Sequence, residues 1–122
     1  MDMNDIRVMV VDDSAYMRDL IEDILLSMGC QVEQAGGGEE MFAKLVSYQP
    51  HIVFVDIVMP EMDGIETTKL LREKIPNIKI VVCSAHNNLP FQKKALESGA
   101  DMFLPKPFDA NKIAAIIKQL LG

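Results

Sequence analysis

Long apolar runs are missing from this sequence. The longest uninterrupted one, Ile113 to Ile117, is five residues, against the roughly 18 that a membrane-crossing helix needs. Basic clusters are missing too. Twelve Lys and Arg face 18 Asp and Glu, for a formal net charge of −6, whereas a grip on nucleic acid or an anionic membrane needs grouped cations. Proteins or a cation are the expected partners, with no direct contact to nucleic acid or membrane. The opening Met1-Asp2-Met3-Asn4-Asp5 lacks the basic and apolar regions of a secretory signal, so a cytoplasmic location is expected. Cysteine is scarce: Cys30 and Cys83 are the only two. On the strand assignment below they lie three ladder steps apart, about 14 Å, and a disulfide needs α-carbons within about 7 Å. Both are expected as buried thiols, in keeping with a reducing compartment. Repeats, low-complexity tracts and linkers are also absent. The 122 residues suit a single domain over 1–122, which can bury roughly two thirds of its unfolded surface.

What is present is organised around Ile52-Val53-Phe54-Val55-Asp56. Four apolar residues, mostly β-branched and bounded by polar residues, predict a strand buried on both faces of a parallel sheet. Arg7 to Val11 predicts another, ending in Asp12 and Asp13. Ser14 then caps a helix whose Met17, Leu20, Ile21, Ile24, Leu25 and Met28 recur at helical spacing, with Gly29 at its end. The methionines of that helix are core filling. Cys30 to Ala35 predicts a second strand. The run Gly36-Gly37-Gly38 fits neither GxGxxG nor GxxxxGK(S/T) and reads as a flexible turn, before a helix with Met41, Phe42, Leu45 and Val46 inward.

After the strand ending at Asp56, Met59-Pro60 and Asp63-Gly64 mark a loop. Ile65 to Ile75 predicts a third helix, stopped by Pro76. Ile80 to Cys83 predicts a fourth strand, delivering Ser84, Ala85 and His86 to the same rim. Pro90 opens a short helix ending near Ser98-Gly99. Met102 to Leu104 predicts a short fifth strand, with Lys106 between two prolines just beyond it. Asp109 caps a last helix with Ile113, Ile116, Ile117 and Leu120 inward.

Five strands alternating with five helices predict an α/β fold: a doubly wound, five-stranded parallel sheet in three layers. The flavodoxin-like order 2-1-3-4-5 reverses between the first and third strands, so Asp12, Asp13 and Asp56 would converge at the switch point. Three carboxylates within a few ångströms repel one another unless a cation intervenes, and Mg²⁺ suits such a set. Asp56 could then attack phosphorus as a carboxylate nucleophile. Ser84 and Lys106 would supply a donor and a positive charge on the other side of the transferred group. Singly, each of these residues is more simply a cap, a loop start or a solvated lysine. Jointly they gather at the carboxyl ends of four strands, which is where such a sheet binds ligands.

The sequence resembles the receiver domains of bacterial and archaeal two-component response regulators from end to end. The resemblance rests on Val10-Val11-Asp12-Asp13-Ser14, on Asp56 with Met59-Pro60 and Asp63-Gly64, and on Cys83-Ser84-Ala85, Ser98-Gly99-Ala100 and Lys106-Pro107-Phe108. The order 2-1-3-4-5 is that family's own, so topology and resemblance are one inference. The resemblance implies that Asp56 is phosphorylated by a histidine kinase. It implies that Asp12, Asp13, Asp56 and the backbone carbonyl of Val58 hold Mg²⁺, and that Ser84 and Lys106 ligate the phosphoryl group. It also implies a cis peptide between Lys106 and Pro107, and a switch in which Ser84 and an aromatic at Phe103 move together. Phe103 lacks the hydroxyl of the tyrosine found in many relatives.

Two positions flank the path of water to Asp56. An apolar Val58 cannot orient that water, which predicts slower self-dephosphorylation than with Asn there. His86 is expected to hydrogen-bond at the rim rather than to assist water or bind metal.

The stretches Asp12 to Arg18 and Met59 to Gly64 look close to CheY-like chemotaxis regulators. This implies a stand-alone receiver that signals through a protein, such as a flagellar motor switch. A phosphorelay intermediate serving a histidine phosphotransfer domain, or a receiver cut from a longer regulator, fits the same residues. The chain is expected to catalyse only its own phosphorylation and dephosphorylation, without turning over a substrate. A haloacid dehalogenase-like phosphatase also uses an Asp nucleophile and Mg²⁺. That pattern places the nucleophile on the first strand with a second Asp two residues later, where this chain has Ser14.

Overall fold

Val8 to Val11 and Ile52 to Val55 have almost no contact with water. Both stretches are apolar at every position, so each strand must be covered on two faces. The computed structural model describes residues 2–56, 63–85 and 88–122. After a short 3₁₀ turn at Met3–Asp5, the order is β1 (Arg7–Val11), α1 (Ala15–Ser27), β2 (Gln31–Ala35), α2 (Gly38–Lys44) and β3 (Ile52–Asp56). It continues with α3 (Gly64–Lys74), β4 (Lys79–Ser84), α4 (Leu89–Glu97), β5 (Met102–Pro105) and α5 (Ala110–Leu121).

All five strands are parallel, in the order β2-β1-β3-β4-β5. The doubly wound α/β class expected from the alternation is therefore the one observed. Register sets Val11 beside Val55 and Asp56 beside Cys83, so the carboxyl ends of β1, β3 and β4 finish at one level.

Alternate strand residues feed opposite layers. Met9, Val11, Val53, Val55, Ile80 and Val82 pack with Met41 of α2, Ile65 and Leu71 of α3 and Ala95 of α4. Val8, Val10, Ile52, Phe54, Val81 and Leu104 pack with Ile21 and Leu25 of α1 and Ile113, Ile116 and Ile117 of α5. The result is three layers with the sheet in the middle. No helix among the described residues is long and apolar enough to cross a membrane.

Helix starts follow the capping residues. Ser14 Oγ accepts from the Met17 N–H and an Asp109 carboxylate oxygen accepts from that of Lys112, as the sequence predicted. Asp63, expected only as loop punctuation, caps α3 by accepting from the Ile65 N–H at 2.7 Å. Asn88 caps α4 in the same way through Phe91, which places Pro90 inside the first turn, where its missing N–H costs nothing. Gly29, just past α1, has φ of 96°, the conformation that favours glycine at a helix end.

Two inward assignments are corrected. Val46 is 84% exposed, because α2 ends at Lys44 and the chain turns away before the helical repeat reaches it. Leu20 is 41% exposed. At about 100° per residue it lies roughly 90° from the middle of the stripe formed by Met17, Ile21, Ile24, Leu25 and Met28, so it falls on the rim. Cys30 and Cys83 are both buried and unpaired. Cys30 precedes β2 rather than opening it, its N–H held by the Leu25 carbonyl.

Candidate functional site

Asp12 is the first residue beyond the β1–β2 ladder, and its N–H still donates to the Ala35 carbonyl at 3.2 Å. Its carboxylate is fixed from both sides. Oδ1 accepts from the Ser14 N–H at 2.9 Å and Oδ2 from Lys106 Nζ at 3.2 Å. Asp56 is the last residue of β3. The two acids are 3% and 9% exposed, while Asp13 is open to solvent. One oxygen from each of Asp12, Asp13 and Asp56 lies within 4.8 Å of the others. The convergence expected from strand order is thus present.

Lys106 reaches this cluster from the far side of the sheet. Its backbone N–H donates to the Ser84 carbonyl at 2.8 Å, which extends the β4–β5 pairing beyond Pro105. The peptide to Pro107 is cis, as the resemblance implied. Nζ then stands 3.2 Å from Asp12 Oδ2 and 3.7 Å from Asp56 Oδ2. Burial alone would lower the lysine's proton affinity, but the Asp56 and Asp12 carboxylates outweigh it and hold the ammonium above its ordinary value. Ser84, the last residue of β4, is 1% exposed. Below it, burial pushes the Cys83 thiol far up, with the Lys106 charge opposing in part. Phe103 is half-buried on β5, packed on the α2–α3–α4 layer. Val58 and His86 lie outside the described residues.

Three hard oxygens set against a single ammonium leave a net negative hollow. Oxygens sharing a Mg²⁺ ion at about 2.1 Å are at most about 4.2 Å apart. Neighbouring oxygens around such an ion stand only about 3.0 Å apart, so a pair at the 4.8 Å limit would draw in by up to about 1.8 Å, which exposed Asp13 can do most easily. The donor set fits a small divalent cation that keeps several waters.

Arg18 is a neighbour that the sequence reading passed over. Its Nη1 donates to the Asp12 carbonyl at 2.7 Å and its Nε to Gln34 Oε1 at 2.9 Å. The signal was an arginine in the first turns of α1, where the helix dipole disfavours a cation without a partner.

Comparison with known proteins agrees with this geometry. The family model described as the response regulator receiver domain matches residues 8–118. The chemotaxis protein CheY of Thermotoga maritima is 37% identical over 115 residues, covering 93% of this chain and 96% of that protein. CheY of Bacillus subtilis is 36% identical over 117 residues, covering 95% and 98%. Among solved structures, the CheX–CheY–BeF3–Mg²⁺ complex from Borrelia burgdorferi superposes with a TM-score of 0.90 at 30% identity, covering 96% of this chain and 90% of that one. This chain belongs to the response regulator receiver domain family.

Proposed function

We propose that this receiver accepts a phosphoryl group on Asp56 from a sensor histidine kinase, with Mg²⁺ bound, and signals through contact with another protein in a CheY-like chemotaxis pathway. The observation that carries the reading is the meeting of Asp12, Asp13 and Asp56 with the Lys106 ammonium at the carboxyl ends of three strands. A carboxylate oxygen of Asp56 attacks phosphorus and forms an acyl phosphate. The bond from phosphorus to the donor imidazole breaks, and that ring regains the electron pair and takes up a proton. Mg²⁺ at Asp12, Asp13, Asp56 and the Val58 carbonyl would neutralise charge on one side of the transferred group. Lys106, already 3.7 Å from the acceptor, would neutralise it on another. The Ser84 hydroxyl, from the end of β4, would donate to a third oxygen.

The same residues would serve a phosphorelay intermediate. The chemotaxis reading is favoured by the two CheY relatives, each matched over almost its whole length. Outputs to be tried are a flagellar motor switch protein, a histidine phosphotransfer domain and a CheX-like partner such as the one in the Borrelia complex. A dehalogenase-like phosphatase finds no support, since the candidate nucleophile sits on β3 rather than on β1. The Ser84–Phe103 switch belongs to this proposal as well, as does slow self-dephosphorylation with Val58. Phosphoryl decay in wild type and Val58→Asn tests the latter, and equal rates would sink it.

Intact mass after incubation with acetyl phosphate and Mg²⁺ tests the central claim. Wild type should gain about 80 Da, one phosphoryl group, and Asp56→Asn should gain nothing. A gain in both would place the acceptor elsewhere. No gain together with no Mg²⁺ binding would overturn the reading.

A further inference from the structure

We infer that Arg18 is a positioning residue for the cation site, braced by Gln34 on the edge strand β2. The inference rests on the reading of Asp12 as a cation ligand.

The β1–β2 ladder stops at Val11 and Ala35. Asp12 keeps a strand-like bond through its N–H to Ala35, but its carbonyl has passed the end of the partner strand. A nearly buried carbonyl must find a donor. Arg18 supplies it, with Nη1 at 2.7 Å from Asp12 O. The peptide that carries the cluster's most buried carboxylate is therefore held by β2 on one side and by α1 on the other.

The guanidinium is itself held. Nε donates to Gln34 Oε1 at 2.9 Å, and the Gln34 amide nitrogen donates in turn to Asp19 at 3.0 Å and to Glu22. The amide oxygen and both N–H donors are engaged, which fixes the plane of the arginine fork against the strand. Glu40 also faces the guanidinium. It accepts from the Gly36 N–H at 2.8 Å, and its proton affinity is lowered by that bond first and, more weakly, by Lys44 and Arg18. Gly36 lies beside both: a Cβ there would stand 3.6 Å from Arg18 Nη1 and 3.4 Å from Glu40 Oε2, at ordinary contact distance. A continuous path thus runs from Glu22 and Asp19 through Gln34 and Arg18 to Asp12, whose carboxylate then meets Lys106.

Two effects of Arg18 on a cation oppose each other. Its positive charge near the hollow weakens binding, while its hold on Asp12 strengthens it. The charge is spread over a fork that has Glu40 of α2 beside it, whereas the bond to Asp12 O is direct, so positioning dominates.

The test is Mg²⁺ affinity by titration calorimetry on the full chain, beside melting temperature in EDTA. Wild type should bind Mg²⁺. Arg18→Gln should bind about tenfold more weakly, the lower end of what loss of an outer-shell partner costs, and should melt lower in EDTA while still folding, because the Asp12 carbonyl loses its donor. Arg18→Lys, which can still donate to Asp12 O, should recover part of the loss. Gln34→Leu should show a smaller loss, and the double variant should match Arg18→Gln alone because Gln34 acts through Arg18. Unchanged or tighter binding in Arg18→Gln, or additive losses in the double variant, would overturn the inference while leaving the site intact. Absence of Mg²⁺ binding in wild type would overturn the site and the inference together.

Discussion

Lys106 Nζ lies closer to Asp12 than to Asp56, 3.2 Å against 3.7 Å. The ammonium leans on a carboxylate that a cation would also use, so lysine and cation compete through like-charge repulsion at short range. Lys106→Met should therefore tighten Mg²⁺ binding several-fold by calorimetry, while slowing transfer from acetyl phosphate to Asp56. Equal Mg²⁺ affinity would mean that the lysine's charge is screened from the hollow.

Removing an acid from the cluster should stabilise the fold when no divalent ion is present. Asp12, Asp13 and Asp56 crowd together with one ammonium among them, and Asp12 keeps the nearer contact to it. Asp56→Asn should melt higher than wild type in EDTA, and added Mg²⁺ should raise its melting temperature less. A lower melting temperature in EDTA would show that the Lys106–Asp56 attraction outweighs the repulsion.

His51 sets an acid limit. Its Nδ1 accepts the Arg7 N–H at 3.0 Å, so the fold needs the neutral ring. Burial and then the nearby Arg7 charge lower its proton affinity, with Asp5 opposing. The unfolded ring takes up a proton near its ordinary value while the folded ring resists, so stability falls as pH drops through 6.5 toward the lowered value. In His51→Asn the side-chain oxygen can stand in for Nδ1 without titrating. Melting temperatures between pH 7 and 5.5 should decline less in that variant. Parallel curves would count against the assignment.

Thiol chemistry should be silent until the chain opens. Burial raises both Cys30 and Cys83, and both are shielded from solvent. Iodoacetamide should label neither in the native state and both in urea. The raised values also mean that the thiols' contribution to stability is full below about pH 9, the ordinary thiol value, and is lost as pH rises beyond it.

Arg72 should be the most costly surface arginine to lose. It donates to the carbonyls of Gly99, Pro76 and Ile78 and to the Asp101 carboxylate at 2.7 Å, tying α3, β4 and the turn before β5 together. Arg72→Met should destabilise by about 2 kcal/mol in urea titration, the scale of hydrogen bonds to a charged group. Gly99→Ala should also destabilise, since φ is +116° there and a Cβ would meet Arg72 at 3.0 Å. A neutral result for both would show that the turn rearranges freely.

Sequence carried the strands and the convergence of acids because both rest on short-range signals: apolar runs that stop at a carboxylate, and an alternation that permits few topologies. Asp12, Asp56 and Lys106 could be placed at strand ends from position, and were brought together by a strand order that is one inference with the family resemblance. Val46 and Leu20 could not, because a helix's last turn and the rim of its apolar stripe depend on where the chain departs, which Lys44 and the following turn decide. Arg72 was unreadable, and Arg18 readable only as a cation in want of a partner near the start of α1, for another reason. Their partners are mostly backbone carbonyls of distant residues, and a carbonyl leaves no trace in residue type.

The strand β3 that carries Asp56 is paired on both sides, with β1 and with β4, and all five of its residues are buried. Amide hydrogens in such a strand exchange with solvent only when the whole domain opens. Asp56 is thus mounted on one of the slowest parts of the backbone, a fixed post rather than a moving arm. A phosphoryl group on Asp56, as proposed, would have to be read out by what surrounds it, on a clock far faster than that of the strand itself.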